Sequence, residues 1–188
     1  MSQNRNIDEL SIVRGCQSRD NMARRELYEK FSGLLMAVCV RYVSDREVAQ
    51  DILHDGFINI FDSICKFQYK GEGSLKAWLI KVMMNESLQY LRKNSKINEI
   101  SYEEIPDIVD DEQEDISDIP ASVLMGLVRK LPTGYRTVLN LYVFENKSHK
   151  EIAEMLNISE HTSSSQYFRA KKLLTTMIKE YRDHGERG

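Results

Sequence analysis

Residues 148–172 read SHKEIAEMLNISEHTSSSQYFRAKK, and the order of polar and apolar side chains here decides the architecture. Ser148 and Glu151 stand in the S-x-x-E spacing of a capping box, ahead of the apolar residues Ile152 and Leu156. Asn157 tolerates a left-handed backbone and closes that short helix. Ile158 plugs the turn, and Ser159 caps a further helix expected from Glu160 to about Tyr181. Ala153 is small enough to let the two helices meet. Two short helices at this spacing form a helix-turn-helix, a motif whose second helix fits the major groove, where base edges are unambiguous. Along that helix Ser163, Tyr167, Ala170, Leu174 and Ile178 form the inner row, and His161, Ser164, Ser165, Phe168, Arg169 and Lys172 the outer row. Phe168 in an outer row calls for an apolar partner such as a thymine methyl. Asn157 stands where glycine is common and Ser163 where a β-branched apolar residue is common. The plainer reading is a helical hairpin with a solvated polar face.

Upstream of the motif, Leu124, Leu127, Val128 and Leu131 recur at helical spacing until Pro132 stops them, and Tyr135, Val138, Leu139 and Tyr142 mark another helical face. Further back, Leu27, Phe31, Leu34, Leu35, Val38 and Tyr42 recur at helical steps over 21–43, with Asp20 as N-cap. A second helix is expected after Ser44 to about Ile64, with Val48, Ile52, Ile60, Phe61 and Ile64 inward. Gly71 and Gly73 mark a loop, and Ser74 is read as the cap of a helix from Leu75 to about Asn94. Nothing in either block alternates with period two. The expected fold is therefore all-α, with two small helical domains joined by an acidic flexible linker and a helix-turn-helix in the second.

Charge places the boundary. Residues 1–96 carry fifteen Lys/Arg against twelve Asp/Glu, residues 97–120 carry ten acids and no base, and residues 121–188 carry eleven bases against seven acids. The net charges of +3, −10 and +4 divide the chain into domains 1–96 and 121–188 around a linker, 97–120. That linker spans at most about 80 Å when extended. No apolar run is long enough for a membrane span, and the polar start from Met1 to Glu9 lacks the core of a signal peptide, so a cytoplasmic protein is expected. Cys16, Cys39 and Cys65 form no C-x-x-C pair and read as core residues, with neither zinc nor disulfides indicated.

Two further constellations stand in the first block. Glu47, Asp51 and Asp55 fall at steps of four on one helix face, a like-charge stack that weakens an isolated helix by a few tenths of a kcal/mol per pair and suits a basic partner. On the helix after Ser74, Lys81, Asn85, Gln89, Arg92 and Lys96 form a stripe, with Lys93 beside it, that mixes amides for base edges with cations for phosphates. Ahead of it FQYKGEGS, residues 67–74, offers Phe67, Tyr69 and Lys70 in a glycine-bearing loop suited to an unstacked base. Solvated acidic and basic helix faces would look the same.

Residues 27–93, which contain DILHDGF and FQYKGEGSLKAWL, resemble domain 2 of the extracytoplasmic function sigma factors of the sigma-70 family, and residues 131–174 look like their domain 4. The resemblance implies a non-enzymatic subunit that brings core RNA polymerase to promoter DNA. It assigns Asp51, His54 and Asp55, with Glu47 on the same face, to a coiled coil of the largest polymerase subunit. His54 stands where glutamine is more usual. The 67–74 loop and the face carrying Lys81, Asn85, Gln89, Arg92 and Lys93 would take the single-stranded −10 element, with Gln89 replacing an acid often found there. Trp78 matches a family tryptophan, and its apolar neighbours favour a core role. Ser164, Ser165, Phe168 and Arg169, flanked by His161, fall on positions that read the −35 element, with Lys171 and Lys172 near phosphates. The family also implies an anti-sigma factor as a further partner, and no cofactor, metal or small-molecule substrate.

Two other classes compete. A helix-turn-helix regulator that is not a polymerase subunit would account for the second block and leave the acidic face and the basic stripe without a role. An enzyme acting on nucleic acid would need a catalytic cluster, and the histidines are scattered, with no phosphate-cradling glycine motif.

Overall fold

The computed structural model describes residues 8–94 and 118–185, and all regular structure among them is helical. Lys96 and residues 97–117 of the acidic stretch lie outside the described residues. The chain divides into two compact units, Met1–Tyr90 and Leu91–Gly188. No described helix is long and apolar enough to cross a membrane.

The first unit opens with a helix absent from the sequence-based expectation, α1 (Glu9–Gln17). Ile12, Val13 and Cys16 bury its inner face, and Gly15 lets it lie on α2 (Asn21–Val43), because a Cβ at Gly15 would collide with the Cβ of Ala23. As expected, Asp20 caps α2, accepting from the Met22 amide at 2.9 Å. Ser44, at φ 63°, turns the chain, and Asp45 caps α3 (Arg46–Ser63) by accepting from the Glu47 and Val48 amides at 2.9 and 3.2 Å. A short 3₁₀ turn, Ile64–Lys66, leads to the loop before α4 (Ser74–Lys93). Gly56 of α3 faces the buried Met83 of α4, whose Sδ lies 3.9 Å from the Cys39 thiol of α2, so a single methionine joins three helices. Asn59 Nδ2 donates to Glu86 Oε1 at 2.7 Å and ties α3 to α4 at the surface.

Two local expectations are corrected here. Ser74 does not cap α4 from outside. It is the first helical residue, and its hydroxyl donates to the Gly71 carbonyl at 2.6 Å while accepting from the Lys70 amide at 3.1 Å, which closes the loop on itself. Cys65 is exposed, because the 3₁₀ turn carries it off the inner face, whereas Cys16 and Cys39 are buried and burial pushes their thiols up to about 11.

The second unit comprises α5 (Ala121–Lys130), α6 (Thr133–Leu139), α7 (His149–Leu156) and α8 (Glu160–Gly185). Val128, Leu131, Tyr135, Leu139 and Ala170 make one core, and Ile119, Leu127 and Ile178 another. Asp118 accepts from Arg182 at 2.7 and 3.2 Å, so the last residues of the acidic stretch pack with this unit. Pro132 ends α5 as expected and leaves its last carbonyls without helical donors. Buried Arg136 supplies them: Nη1 donates to the carbonyls of Arg129 and Leu131 at 3.0 and 2.8 Å. Burial lowers its guanidinium to about 10, which leaves it charged at neutral pH. Tyr142 departs from the expected inner face. The backbone widens to a π-helical turn at Asn140–Phe144, the 3.6 register slips, and Tyr142, Val143 and Phe144 all emerge exposed.

Candidate nucleic-acid interface

The helix-turn-helix forms with the expected local chemistry. Ser148 accepts from the Glu151 amide at 3.2 Å and the Glu151 carboxylate accepts from the Ser148 amide at 2.9 Å, a complete capping box. Asn157 is left-handed at φ 55°, and Ser159 accepts from the Thr162 amide at 2.9 Å. Inner residues Ser163, Ala170 and Ile178 are buried, and Tyr167 and Leu174 are half-buried. The hydroxyl of Ser163 has a partner that its departure from an apolar residue left unread: it lies 3.0 Å from His149 Nδ1, across the turn from α8 to α7. The His149 ring stacks on Tyr142 at 4.7 Å, and Tyr167 tilts against both. A hydrogen bond and an aromatic trio thus fix the angle between the helices where a β-branched residue would do so by packing alone. Finding it would have required joining two rows 14 residues apart.

The outer row faces away from this junction. His161, Phe168, Arg169 and Lys171 are exposed, and Ser164, Ser165 and Lys172 are half-buried. Phe168 leaves 59% of its surface in water at the middle of a polar and basic face. The Ser164 hydroxyl donates to the His161 carbonyl at 3.0 Å, so its lone pairs are what it offers outward, suiting an exocyclic amino group of adenine or cytosine.

The capping box is also an acid-sensitive device. Hydrogen bonds from Lys147 Nζ at 2.7 Å, then from the Ser148 amide and hydroxyl, pull the Glu151 carboxyl down to about 2 from its ordinary 4.5. A depressed carboxyl stabilises the folded state fully above the unfolded value, and that contribution is lost as pH falls from 4.5 through about 2. Glu151→Gln is expected to flatten the fall in urea midpoint across that interval relative to the parent, and an identical slope in the two proteins would contradict it.

On α3, Glu47, Asp51, His54 and Asp55 are all exposed, and at 3.6 residues per turn they share an arc of about 100°. The same arc holds Ile58, 51% exposed, and Asp62, which continues the acidic row. Sequence reasoning passed over both, although their steps of four from His54 and Ile58 are the same signal. An apolar side chain inside an acidic row would suit a partner with both cationic and aliphatic groups, such as lysine and arginine stems.

On α4, Lys81, Asn85, Gln89, Arg92 and Lys93 are exposed within an arc of about 120°. In the loop Lys70 is exposed, while Phe67 and Tyr69 are half-buried. The Phe67 ring packs on Trp78 at 5.0 Å, and Trp78, expected in the core, is only half-buried beside the loop. Gly71 at φ 112° and Gly73 at φ 82° make the sharp return to α4, conformations L side chains rarely adopt. Partial burial, then the carboxylates of Asp8, Glu9 and Glu72, push the Tyr69 phenol up from its ordinary value. Among the described residues no cluster of His, Cys, Asp or Glu could hold a metal ion.

The chain is similar to known proteins over most of its length. The family model for sigma-70 region 2 matches residues 27–97 and that for sigma-70 region 4 matches residues 122–174. The ECF RNA polymerase sigma factor SigM of Bacillus subtilis is 27% identical over 158 residues, covering 81% of this chain and 93% of SigM. The ECF RNA polymerase sigma-E factor of Haemophilus influenzae is 23% identical, covering 92% and 96% of the two chains. A chain of the solved structure of CnrH in complex with the cytosolic domain of CnrY is similar at a TM-score of 0.48 and 16% identity, over 90% of this chain and 96% of that one.

Proposed function

Since the chain belongs to the sigma-70 family, as an extracytoplasmic function RNA polymerase sigma factor that binds core polymerase and promoter DNA and is not an enzyme, we propose how its surfaces divide that work. Domain 1–96 docks on core polymerase through Glu47, Asp51, His54 and Asp55. The same domain takes the single-stranded −10 element with Phe67, Tyr69 and Lys70 in the loop and Lys81, Asn85, Gln89, Arg92 and Lys93 on α4. Domain 121–188 reads the −35 element through His161, Ser164, Ser165, Phe168 and Arg169, with Lys171 and Lys172 on phosphates. The acidic residues 97–120 join the two and, carrying ten acids and no base, keep off DNA. The setting is the cytoplasm, with an anti-sigma factor as the inhibitor expected of the family.

The observation that carries this division is that α3, α4 and α8 each leave one polar or charged face open to solvent, with Phe168 exposed at the centre of the third. Charge alone would not require an exposed phenylalanine, whereas base edges with methyl groups give it a partner. The test is run-off transcription by core polymerase and the full chain on a randomised promoter library. Transcripts are expected only with the chain present, from templates sharing two sequence blocks roughly 55–60 Å apart along the duplex, sixteen to eighteen base pairs at about 3.4 Å each. DNA binding without transcripts would favour a regulator that is not a polymerase subunit.

A further inference from the structure

We infer that helix α1 is a clamp on the 67–74 loop, and that Glu9 and Gln17 are positioning residues for capture of the −10 base. This rests on the reading of that loop as the −10 capture site.

The clamp is visible at both ends of the loop. Where the chain leaves the 3₁₀ turn, Gln17 Nε2 donates to the carbonyls of Ile64 and Phe67 at 3.2 and 2.9 Å. Where it enters α4, the Gly73 amide donates to Glu9 Oε2 at 2.9 Å. Glu9 and Gln17 are the first and last residues of α1, so at 1.5 Å per residue their backbones stand about 12 Å apart on one rigid rod. The rod is itself fixed, by buried Ile12, Val13 and Cys16 and by the close approach of Gly15 to Ala23. Ser74 braces the inner turn through Lys70 and Gly71, so α1 sets the separation of the ends and Ser74 the shape between them.

The bond from Glu9 is charge-assisted and places a carboxylate at the N-terminus of α4, where the helix dipole favours it. Gln17 satisfies two carbonyls with one amide. Both bonds order the loop before DNA arrives, which lowers the ordering cost of binding. Loosening one end is expected to reduce discrimination at the captured base by roughly three- to tenfold, the size of one such hydrogen bond.

The experiment uses the full chain, alone and with core polymerase, in the variants Glu9→Ala, Glu9→Gln and Gln17→Glu. Each leaves the apolar face of α1 untouched. Trp78 is the only tryptophan in the chain and packs on Phe67, so acrylamide quenching of its fluorescence reports loop looseness without DNA. Open-complex formation on promoters differing at the captured base reports selection. Glu9→Ala and Gln17→Glu are expected to raise quenching and relax −10 selection, with −35 preference and core capture unchanged. Glu9→Gln, whose amide oxygen still accepts from Gly73, is expected to retain both. Unchanged quenching in Glu9→Ala and Gln17→Glu, or a Glu9→Gln variant as impaired as Glu9→Ala, overturns the clamp. If Trp78 loosens and selection holds while substitutions at Lys70 or Asn85 do change it, the clamp's role falls and the −10 site stands. If those substitutions also leave selection unchanged, both fall.

Discussion

Replacing both Asp51 and Asp55 with lysine is expected to lower capture of core polymerase by more than about a hundredfold, the scale of a few kcal/mol when attraction becomes repulsion in a desolvated interface. The fold should not suffer. Both carboxylates are exposed on α3, and with Glu47 they form a like-charge row at steps of four, so the double reversal makes the pair at 47 and 51 attractive and leaves the pair at 51 and 55 repulsive, now between two cations. Thermal stability is therefore expected to hold or rise slightly as binding collapses. That opposition separates a lost interface from a damaged domain, for which both quantities would fall together. Ile58→Ala should add a smaller loss that does not depend on salt, since it removes apolar area from the same arc. Co-purification with core enzyme at two salt concentrations measures both variants against the parent, and thermal unfolding measures the fold. A double reversal that binds as tightly as the parent removes this face from the polymerase interface.

What the sequence disclosed, and what it hid, follows from how far each signal reaches along the chain. Helices α2, α3, α7 and α8 were legible because apolar period and caps agree locally: Asp20, Ser148 and Ser159 each cap where expected. Helix α1 was not, since its N-cap Asp8 makes no side-chain capping bond and Gly15 sits inside it. A nine-residue segment with such weak local signals is helical because α2 gives it somewhere to bury Ile12, Val13 and Cys16. Tyr142 was misplaced because a π-helical turn breaks the period on which the reading relied. The same distinction holds at the site. The outer rows of α3, α4 and α8 were readable, each being one face of one helix. The bonds that Glu9 accepts from the loop and Gln17 donates to it span 50 to 64 residues of sequence, and the one between His149 and Ser163 depends on the fold of the turn.

Replacing Ser164, Ser165 and Arg169 together with alanine is expected to erase most −35 preference and leave −10 preference as it was. Removing the reader of one base costs about 1–3 kcal/mol, and because the three residues are neighbours on one helix their costs need not add, so the triple variant should lose roughly ten- to a hundredfold in selection at that element. The three residues contribute differently. Arg169, exposed on α8, can present its planar fork to guanine, the commonest specific pairing in the major groove. Ser164, whose proton is held by the His161 carbonyl, presents an acceptor, so its loss should relax a preference for a base bearing an amino group. Phe168→Ala should weaken a preference for thymine, because its methyl group would no longer meet an aromatic face. Lys171 and Lys172 belong to another class, because a cation on a phosphate carries no sequence information. Their removal should weaken binding to all sequences and reduce the slope of log K against log salt by about 0.9 for each phosphate no longer neutralised. Confinement to one element follows from the division of labour, since α8 lies in one compact unit and the 67–74 loop in the other. Transcription from a promoter library randomised at both elements reads every variant in one experiment. Should the α8 substitutions change −10 preference as strongly as −35 preference, the assignment of one element to each domain has to be abandoned.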